Sequence, residues 1–225
     1  MKLALFDLDH TLLDGDSDAL WGRFLANEGV VDAEEYRREG ARYMAEYRAG
    51  RLDIHEFLEF GLRPLKDHPR ERLEAWRERF HAELVRPRIA AGARELLTRH
   101  RDEGHRLAII TATNRFITAP IADELGVSHL IATEPEEIDG RYTGRVLGPP
   151  CFREGKILRL QAWLETQDAP PEETWFYSDS HNDLPLLSRV DHPVAVNPDE
   201  TLAAIAADRG WPTLALRHQP KASAA

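Results

Sequence analysis

The chain has 225 residues, 42% of them hydrophobic, and 39 acidic against 29 basic side chains give a formal charge of −10. That length suits one large domain or a core with a substantial insert, and the acidic balance argues against nucleic acid or anionic membranes as partners. Cys151 is the only cysteine, which excludes an intrachain disulfide and a cysteine-cluster zinc site and leads us to expect a reducing, cytoplasmic setting.

The first strand is expected over Leu3-Ala4-Leu5-Phe6, an apolar run that delivers Asp7 and Asp9 with Thr11 just behind. Residues two apart on a strand share a face, so both carboxylates would lie near one point, where their repulsion calls for a cation or a proton. Alone, such a pair is as readily a turn. The aspartate at position 7 comes too soon for a secretory apolar region, and no apolar run approaches membrane-spanning length.

From about residue 17 to 86 the periodicity is helical. Leu20, Trp21, Phe24 and Leu25 share a face, as do Tyr36, Tyr43, Met44 and Tyr47, then Ile54, Phe57, Leu58, Leu62 and Leu65, then Leu73, Trp76, Phe80 and Leu84. Four amphipathic helices in a small bundle are expected. Gly29 and Gly50 stand where helices stop, and Asp32 with Glu35, and Asp53 with Glu56, resemble capping boxes. Arginines 37–38 and 70–79 are interleaved with glutamates and read as solvated, salt-bridged faces. Arg86-Pro87-Arg88 marks a return linker.

From about residue 90 strands and helices alternate: a helix at 92–100, a strand at 106–111, a helix at 114–125, a strand at 130–133, a helix at 154–166, a strand at 175–178, a short helix at 181–187 and a strand at 193–196. Glu136 to Val146, with Asp139-Gly140 at its centre, reads as a short hairpin on the sheet. Asn197-Pro198-Asp199-Glu200 is expected to cap the last helix, with proline at its first position, and Gly210 to end it. The expected fold is α/β: a three-layer Rossmann-like core with a mostly parallel sheet, plus an inserted all-helical cap. We place the core at 1–15 and 88–218, the cap at 16–87 and a flexible tail at 219–225.

Ligands of open parallel sheets bind beyond the carboxyl ends of the strands, where the strand order reverses. At those ends stand Asp7 and Asp9, then Thr111, then Ser178-Asp179 with Asp183 one turn further on, while Lys156 opens a helix. Asp7 is placed to attack phosphorus, and Asp9 to protonate the leaving alcohol and deprotonate water. Asp7, Asp9, Asp179 and Asp183 form the expected Mg²⁺ set, with Asp7 and Asp179 the first choices and Asp183 acting directly or through a water. Thr111 and Lys156 would hold phosphate oxygens, and Asn182 is assigned to substrate. Each has an ordinary use alone, Asp183 in a helix cap, Lys156 on a surface, Thr111 at a strand end; their order on successive strand ends favours the joint reading.

Phe6-Asp7-Leu8-Asp9-His10-Thr11-Leu12, Ile109-Ile110-Thr111-Ala112-Thr113, Gly155-Lys156 and Ser178-Asp179-Ser180-His181-Asn182-Asp183-Leu184-Pro185 together resemble the motifs of the haloacid dehalogenase superfamily of phosphatases. The helical insert and Tyr142-Thr143-Gly144 resemble its phosphoserine phosphatase-like branch. The resemblance implies an aspartyl-phosphate intermediate, a Mg²⁺ cofactor and a small phosphorylated metabolite as substrate. It also places Asp16 where that branch holds a substrate ammonium by a cap glutamate, with Arg63 a weak match for the arginine that holds the substrate carboxylate. An amine-bearing monoester such as histidinol phosphate or phosphoserine is thereby implied.

The alternative from another class is a receiver-like signalling module, which also gathers acidic residues, a Thr and a Lys around a phosphorylated aspartate but needs neither Asp9 nor a cap. Dehalogenation is disfavoured because expelling halide needs no acid and no metal. The spacing of Gly148 to Lys156 excludes a P-loop. Cys151 reads as an apolar packer, and His10 and His181 as cap or solvent-facing residues bordering the cleft.

Overall fold

The structure, a computed structural model, describes residues 1–217, so the tail expected at 219–225 lies outside the described residues. Strand β1 (Lys2–Phe6) is followed by five helices: α1 (Ser17–Asn27), α2 (Ala33–Arg48), α3 (Ile54–Gly61), α4 (Arg63–Asp67) and α5 (Arg70–Phe80). Then come α6 (Ala93–Asp102), β2 (Arg106–Asn114), α7 (Arg115–Glu124), β3 (His129–Thr133), β4 (Pro135–Ile138), β5 (Arg141–Val146) and α8 (Glu154–Leu164). The chain continues through β6 (Glu173–Ser178), α9 (Leu184–Leu187), β7 (His192–Val196), α10 (Glu200–Arg209) and β8 (Thr213–Leu214).

Six strands form one sheet in the order β3-β2-β1-β6-β7-β8, and every neighbouring pair is parallel. The alternation of the apolar runs sorts them between two faces. Ala4, Phe6, Leu107, Ile109 and Tyr177 face α6, α7 and the helices inserted after β1, while Leu3, Leu5, Ala108, Ile110 and Phe176 face α8, α9 and α10. The order reverses around β1, so the carboxyl ends of β1, β2 and β6 open onto one crevice. The chain leaves the sheet and returns through paired segments: Asp14 N–H donates to the Arg88 carbonyl at 2.7 Å, and Ala90 N–H to that of Leu12 at 2.9 Å.

Four details differ from expectation. The helix expected from Ile54 through Leu65 is two, because Pro64 has no N–H to give the preceding turn and the chain restarts after Leu62. The hairpin β4–β5 is a separate two-stranded sheet rather than part of the large one. It packs toward α4, where Gly144 (φ +81) leaves room for the Lys66 side chain and Arg70 lies over Tyr142. The last helix is capped by Asp199, whose Oδ1 accepts the Leu202 N–H at 2.8 Å, so Pro198 lies before the cap; Asn197 is turned to φ 41. Asp32 and Asp53 cap α2 and α3, but Glu35 and Glu56 do not close their boxes; they bind Arg63 and Arg42 instead.

On the α6 face of the sheet, His100 and His105 are buried with their Nδ1 atoms 2.7 Å apart, and His100 Nε2 is 2.7 Å from the Tyr177 hydroxyl. A neutral His100 satisfies the chain in either direction: Tyr177 donates to His100 Nε2 and His100 Nδ1–H to His105 Nδ1, or both bonds reverse. In the first arrangement, a proton added at His100 Nε2 would have to turn the Tyr177 hydroxyl from donor to acceptor. Burial, with His105 beside it, pushes its pKa down to about 4. Depression below the unfolded value near 6.5 means that the unfolded chain binds more protons between those pH values, so this histidine's contribution to stability is lost as pH falls from 6.5 towards 4. Denaturant unfolding of wild type and His100→Gln at pH 7 and pH 5 should show wild type losing about 2 kcal/mol relative to the variant; equal losses would contradict a neutral buried His100.

Candidate active site

Asp7 is the last residue that the sheet holds, its N–H donating to the Tyr177 carbonyl at 2.9 Å. The chain then makes a π-type turn, with Leu13 N–H reaching the Leu8 carbonyl at 2.9 Å and His10 in the left-handed region at φ 58. This turn swings Asp9 away from the strand axis towards α1. Its Oδ1 accepts the Ser17 N–H at 2.7 Å and its Oδ2 accepts the Thr113 hydroxyl at 2.7 Å, so the positive end of α1 faces the carboxylate. Burial pushes the Asp9 pKa up to about 6, with Asp16 adding to the shift and the bonds from Ser17 and Thr113 opposing it.

Lys156 enters from the first turn of α8. Gly155 permits the approach, since a Cβ there would lie 1.9 Å from the Pro150 carbonyl oxygen. The Lys156 Nζ donates to Asp7 Oδ1 at 2.8 Å and to Asp183 Oδ2 at 2.6 Å, and the Ser178 hydroxyl donates to the same Asp183 oxygen at 2.7 Å. The Thr11 hydroxyl links Asp179 Oδ1 (3.3 Å) to Asp7 Oδ2 (3.5 Å). Thr111, 1% exposed, accepts the Thr113 N–H at 3.2 Å.

Burial pushes Asp7 up to about 7 against the pull of Lys156, and pushes Asp179 well above the usual carboxylate range with Asp7 and Asp183 adding to it. Burial alone would lower Lys156; Asp183 and Asp7 outweigh it and hold the ammonium protonated. One ammonium therefore serves three carboxylates, Asp7, Asp179 and Asp183. They can all be anions only if another cation joins them. The donors are all hard oxygens, and Asp7 and Asp179 already share one hydroxyl, which fits Mg²⁺. Both carboxylate oxygens of Asp9 accept a hydrogen bond, which ties its side chain to Ser17 and Thr113.

Other expected residues have structural partners. Asp16 caps α1, its Oδ1 accepting from Asp18 N–H (3.0 Å) and Ala19 N–H (2.9 Å). Asn182 Oδ1 accepts two N–H bonds from Arg153, and its Nδ2 donates to the Tyr47 carbonyl. Arg63 binds Glu35 at 3.0 Å and lies over Phe60. His181 binds Asp199 through both its N–H and its Nδ1, and Cys151 is buried with its thiol pushed up to about 12 by burial. Sequence reasoning passed over Thr113, Ser178, Tyr47 and Arg153. Thr113 and Ser178 lie inside the quoted motifs and could have been found as hydroxyls two and five residues from site groups. Tyr47 and Arg153 carry no such signal.

A buried carboxylate beside a lysine, a second carboxylate held separately, and a cluster of hard-oxygen donors suited to a cation at a sheet crevice fit a phosphoryl-transfer hydrolase. Residues 4–188 match the family model described as haloacid dehalogenase-like hydrolase. The chain belongs to that family, in its phosphoserine phosphatase-like branch. It is 43% identical over 217 residues to a histidinol-phosphatase of Neisseria meningitidis, covering 95% of this chain and 98% of that one. A phosphoserine phosphatase of Mycobacterium tuberculosis is 33% identical, over 92% of this chain and 68% of its own. A Bordetella pertussis Tohama I protein of unknown function has the same structure at a TM-score of 0.90, with 46% identity, 96% of this chain and 98% of that one covered. A phosphoserine phosphatase in a phospho-aspartyl intermediate analogue shares the fold at a TM-score of 0.65, with 22% identity over 97% and 94% of the two chains. These relatives and the site make the protein a phosphomonoester hydrolase. Among the described residues no helix is long and apolar enough to cross a membrane.

Proposed function

We propose that the protein hydrolyses the phosphate monoester of a small amino alcohol, histidinol phosphate foremost, in a Mg²⁺-dependent reaction through phospho-Asp7. The observation that carries the chemistry is the placement of Lys156 between Asp7 and Asp183, with Asp9 anchored apart from them by Ser17 and Thr113. The near full-length likeness to a histidinol-phosphatase supports the substrate.

An Asp7 carboxylate oxygen attacks phosphorus, the ester P–O bond breaks, and the departing alcohol oxygen takes the proton of Asp9. Water then attacks the aspartyl-phosphate, Asp9 accepts its proton, and the bond from phosphorus to Asp7 breaks to release phosphate and restore the carboxylate. Lys156 and the Thr111 hydroxyl hold the phosphoryl oxygens during both displacements. Asp7 and Asp179, with Asp183 beside them, would hold a Mg²⁺ ion, which would supply charge neutralisation for the incoming phosphate.

Residues 16–87 form the cap of this reading and choose the substrate. Asp16 and Asp18 are carboxyls on the cap side of the site, and burial together with Asp16 and Asp9 pushes Asp18 up to about 8, so a cationic substrate group brought beside it would favour its ionised form. That environment complements an ammonium or imidazolium rather than a sugar or a nucleobase. The lone, buried Cys151 is consistent with a cytoplasmic setting. Assay of the purified protein with Mg²⁺ against histidinol phosphate, phosphoserine, sugar phosphates and nucleoside monophosphates should give a kcat/KM for histidinol phosphate at least about tenfold above the rest. A flat profile would contradict the substrate assignment.

A further inference from the structure

The inserted helices are held to the sheet in two different ways. At one end, Trp21, Phe24 and Phe80 share an apolar cluster with Phe6, Leu8, Phe116 and Ile117, and Trp21 meets Phe116 edge-on at 5.9 Å. At the other end, the tip of α2, Tyr43 is the helix's only buried residue, and the ties to the core are hydrogen bonds and one loose ring contact, Tyr47 with Phe152 at 6.1 Å. The Tyr47 hydroxyl donates to Ser180 Oγ at 2.8 Å, Asn182 Nδ2 to the Tyr47 carbonyl at 3.2 Å, and Arg153 Nη2 to the Gly50 carbonyl at 2.5 Å. Gly50 is required there: its φ is +64, and a Cβ would lie 3.3 Å from Arg153 Nη2 and 3.4 Å from His181 Nε2.

Arg153 is at the centre of these ties. It donates twice more, to Asn182 Oδ1 at 3.0 and 2.9 Å, and its guanidinium lies over Phe152. Among the described residues no carboxylate pairs with it at ion-pair distance, so its charge faces only neutral acceptors. Its backbone, at φ 49 and ψ −120, is in a region that glycine adopts freely and arginine adopts only under strain. Asn182, which it orients, precedes Asp183, the carboxylate that holds Lys156.

We propose that Arg153 is a positioning residue, a clasp that fixes Asn182 and closes the α2 tip over Asp7 and Lys156. The proposal rests on the phosphatase reading of the site. Asp7, Thr111, Lys156 and Asp183 are each less than a tenth exposed, so a phosphate ester reaches them only when part of the cover lifts. The apolar end resists separation because opening it exposes aromatic surface to water, whereas the bonds at the tip can be exchanged for water. The tip is therefore the end that opens, and release bares an unpaired guanidinium at the entrance, where an incoming phosphate is drawn to it.

Hydrogen exchange on the full chain without substrate, together with steady-state kinetics, tests this in Arg153→Ala, Arg153→Lys and Tyr47→Phe. Arg153→Ala should speed exchange of the amides at 46–53 while those of α1, α5 and the sheet keep their protection, and should raise KM about tenfold or more with a smaller change in kcat, the scale of one charged hydrogen bond. Arg153→Lys, which keeps the charge but loses the planar fork, should act in the same direction and serves as the reading if Arg153→Ala does not fold. Tyr47→Phe should have a smaller effect on the same amides. Unchanged exchange at 46–53, or exchange raised equally across the whole chain, would overturn the clasp. A wild-type protein without phosphatase activity would sink the functional reading instead, and the exchange data alone would then decide the clasp.

Discussion

Asp7→Asn is expected to remove Mg²⁺-dependent phosphate release, by roughly 10⁴-fold or more, while leaving a folded protein. An amide nitrogen or oxygen at that position cannot form the acyl-phosphate, and no other carboxylate replaces it: Asp9 is tied to Ser17 and Thr113, and Asp183 is bound by Lys156 and Ser178. Folding should survive because burial already resists charge at Asp7, pushing its pKa up to about 7, and Lys156 keeps Asp183 as a partner. Phosphate release with a panel of aryl and amino-alcohol monophosphates, alongside thermal unfolding, checks both halves. Near-wild-type activity in a variant whose mass confirms the intact asparagine would remove Asp7 from the role of nucleophile.

Lys156→Met is expected to damage both stability and rate. The ammonium is 2% exposed and is the cation shared by Asp7 and Asp183, so removing it leaves two buried carboxylates facing each other. Breaking a buried pair in this way costs about 3 kcal/mol or more, partly relieved if one carboxyl takes up a proton. The transition state also loses a positive contact to the phosphoryl oxygens, a further factor of about 10² to 10³ in kcat. Denaturant unfolding and single-substrate kinetics measure the two effects separately. Added Mg²⁺ should restore part of the stability, since a second cation answers the same excess of negative charge. A variant as stable as wild type, with or without Mg²⁺, would show that the three carboxylates do not depend on a cation.

How much of this was legible in the sequence follows from the range over which each feature is specified. Alternation of apolar residues in 3–6, 106–111 and 175–178 fixes which face of each strand is buried, and the carboxyl ends then bring Asp7, Thr111 and Asp179 to one crevice. Caps at Asp32, Asp53 and Gly210 are local and were readable. The hairpin's place was not, because nothing in 136–146 says whether its free edge pairs with the large sheet or packs near α4. The Asn197-Pro198-Asp199 segment offers two capping residues; the contest went to Asp199, whose second oxygen also holds His181 from a loop 18 residues away. Within the site, the ammonium linking Asp7 to Asp183 spans 149 residues to one carboxylate and 27 to the other, so its pairing is a tertiary fact. The same holds for Arg153 and Gly50, 103 residues apart, whose contact no local pattern announces.

The central claim is that Asp7 carries the phosphoryl group. Acid quenching of a single turnover within the lifetime of the intermediate, followed by borohydride reduction and peptide mapping, reads it directly. The account predicts that the reduction expels phosphate from Asp7 and converts that residue alone to homoserine. Phosphate released within the turnover, with no acyl-phosphate on Asp7 at any quench time, would contradict it.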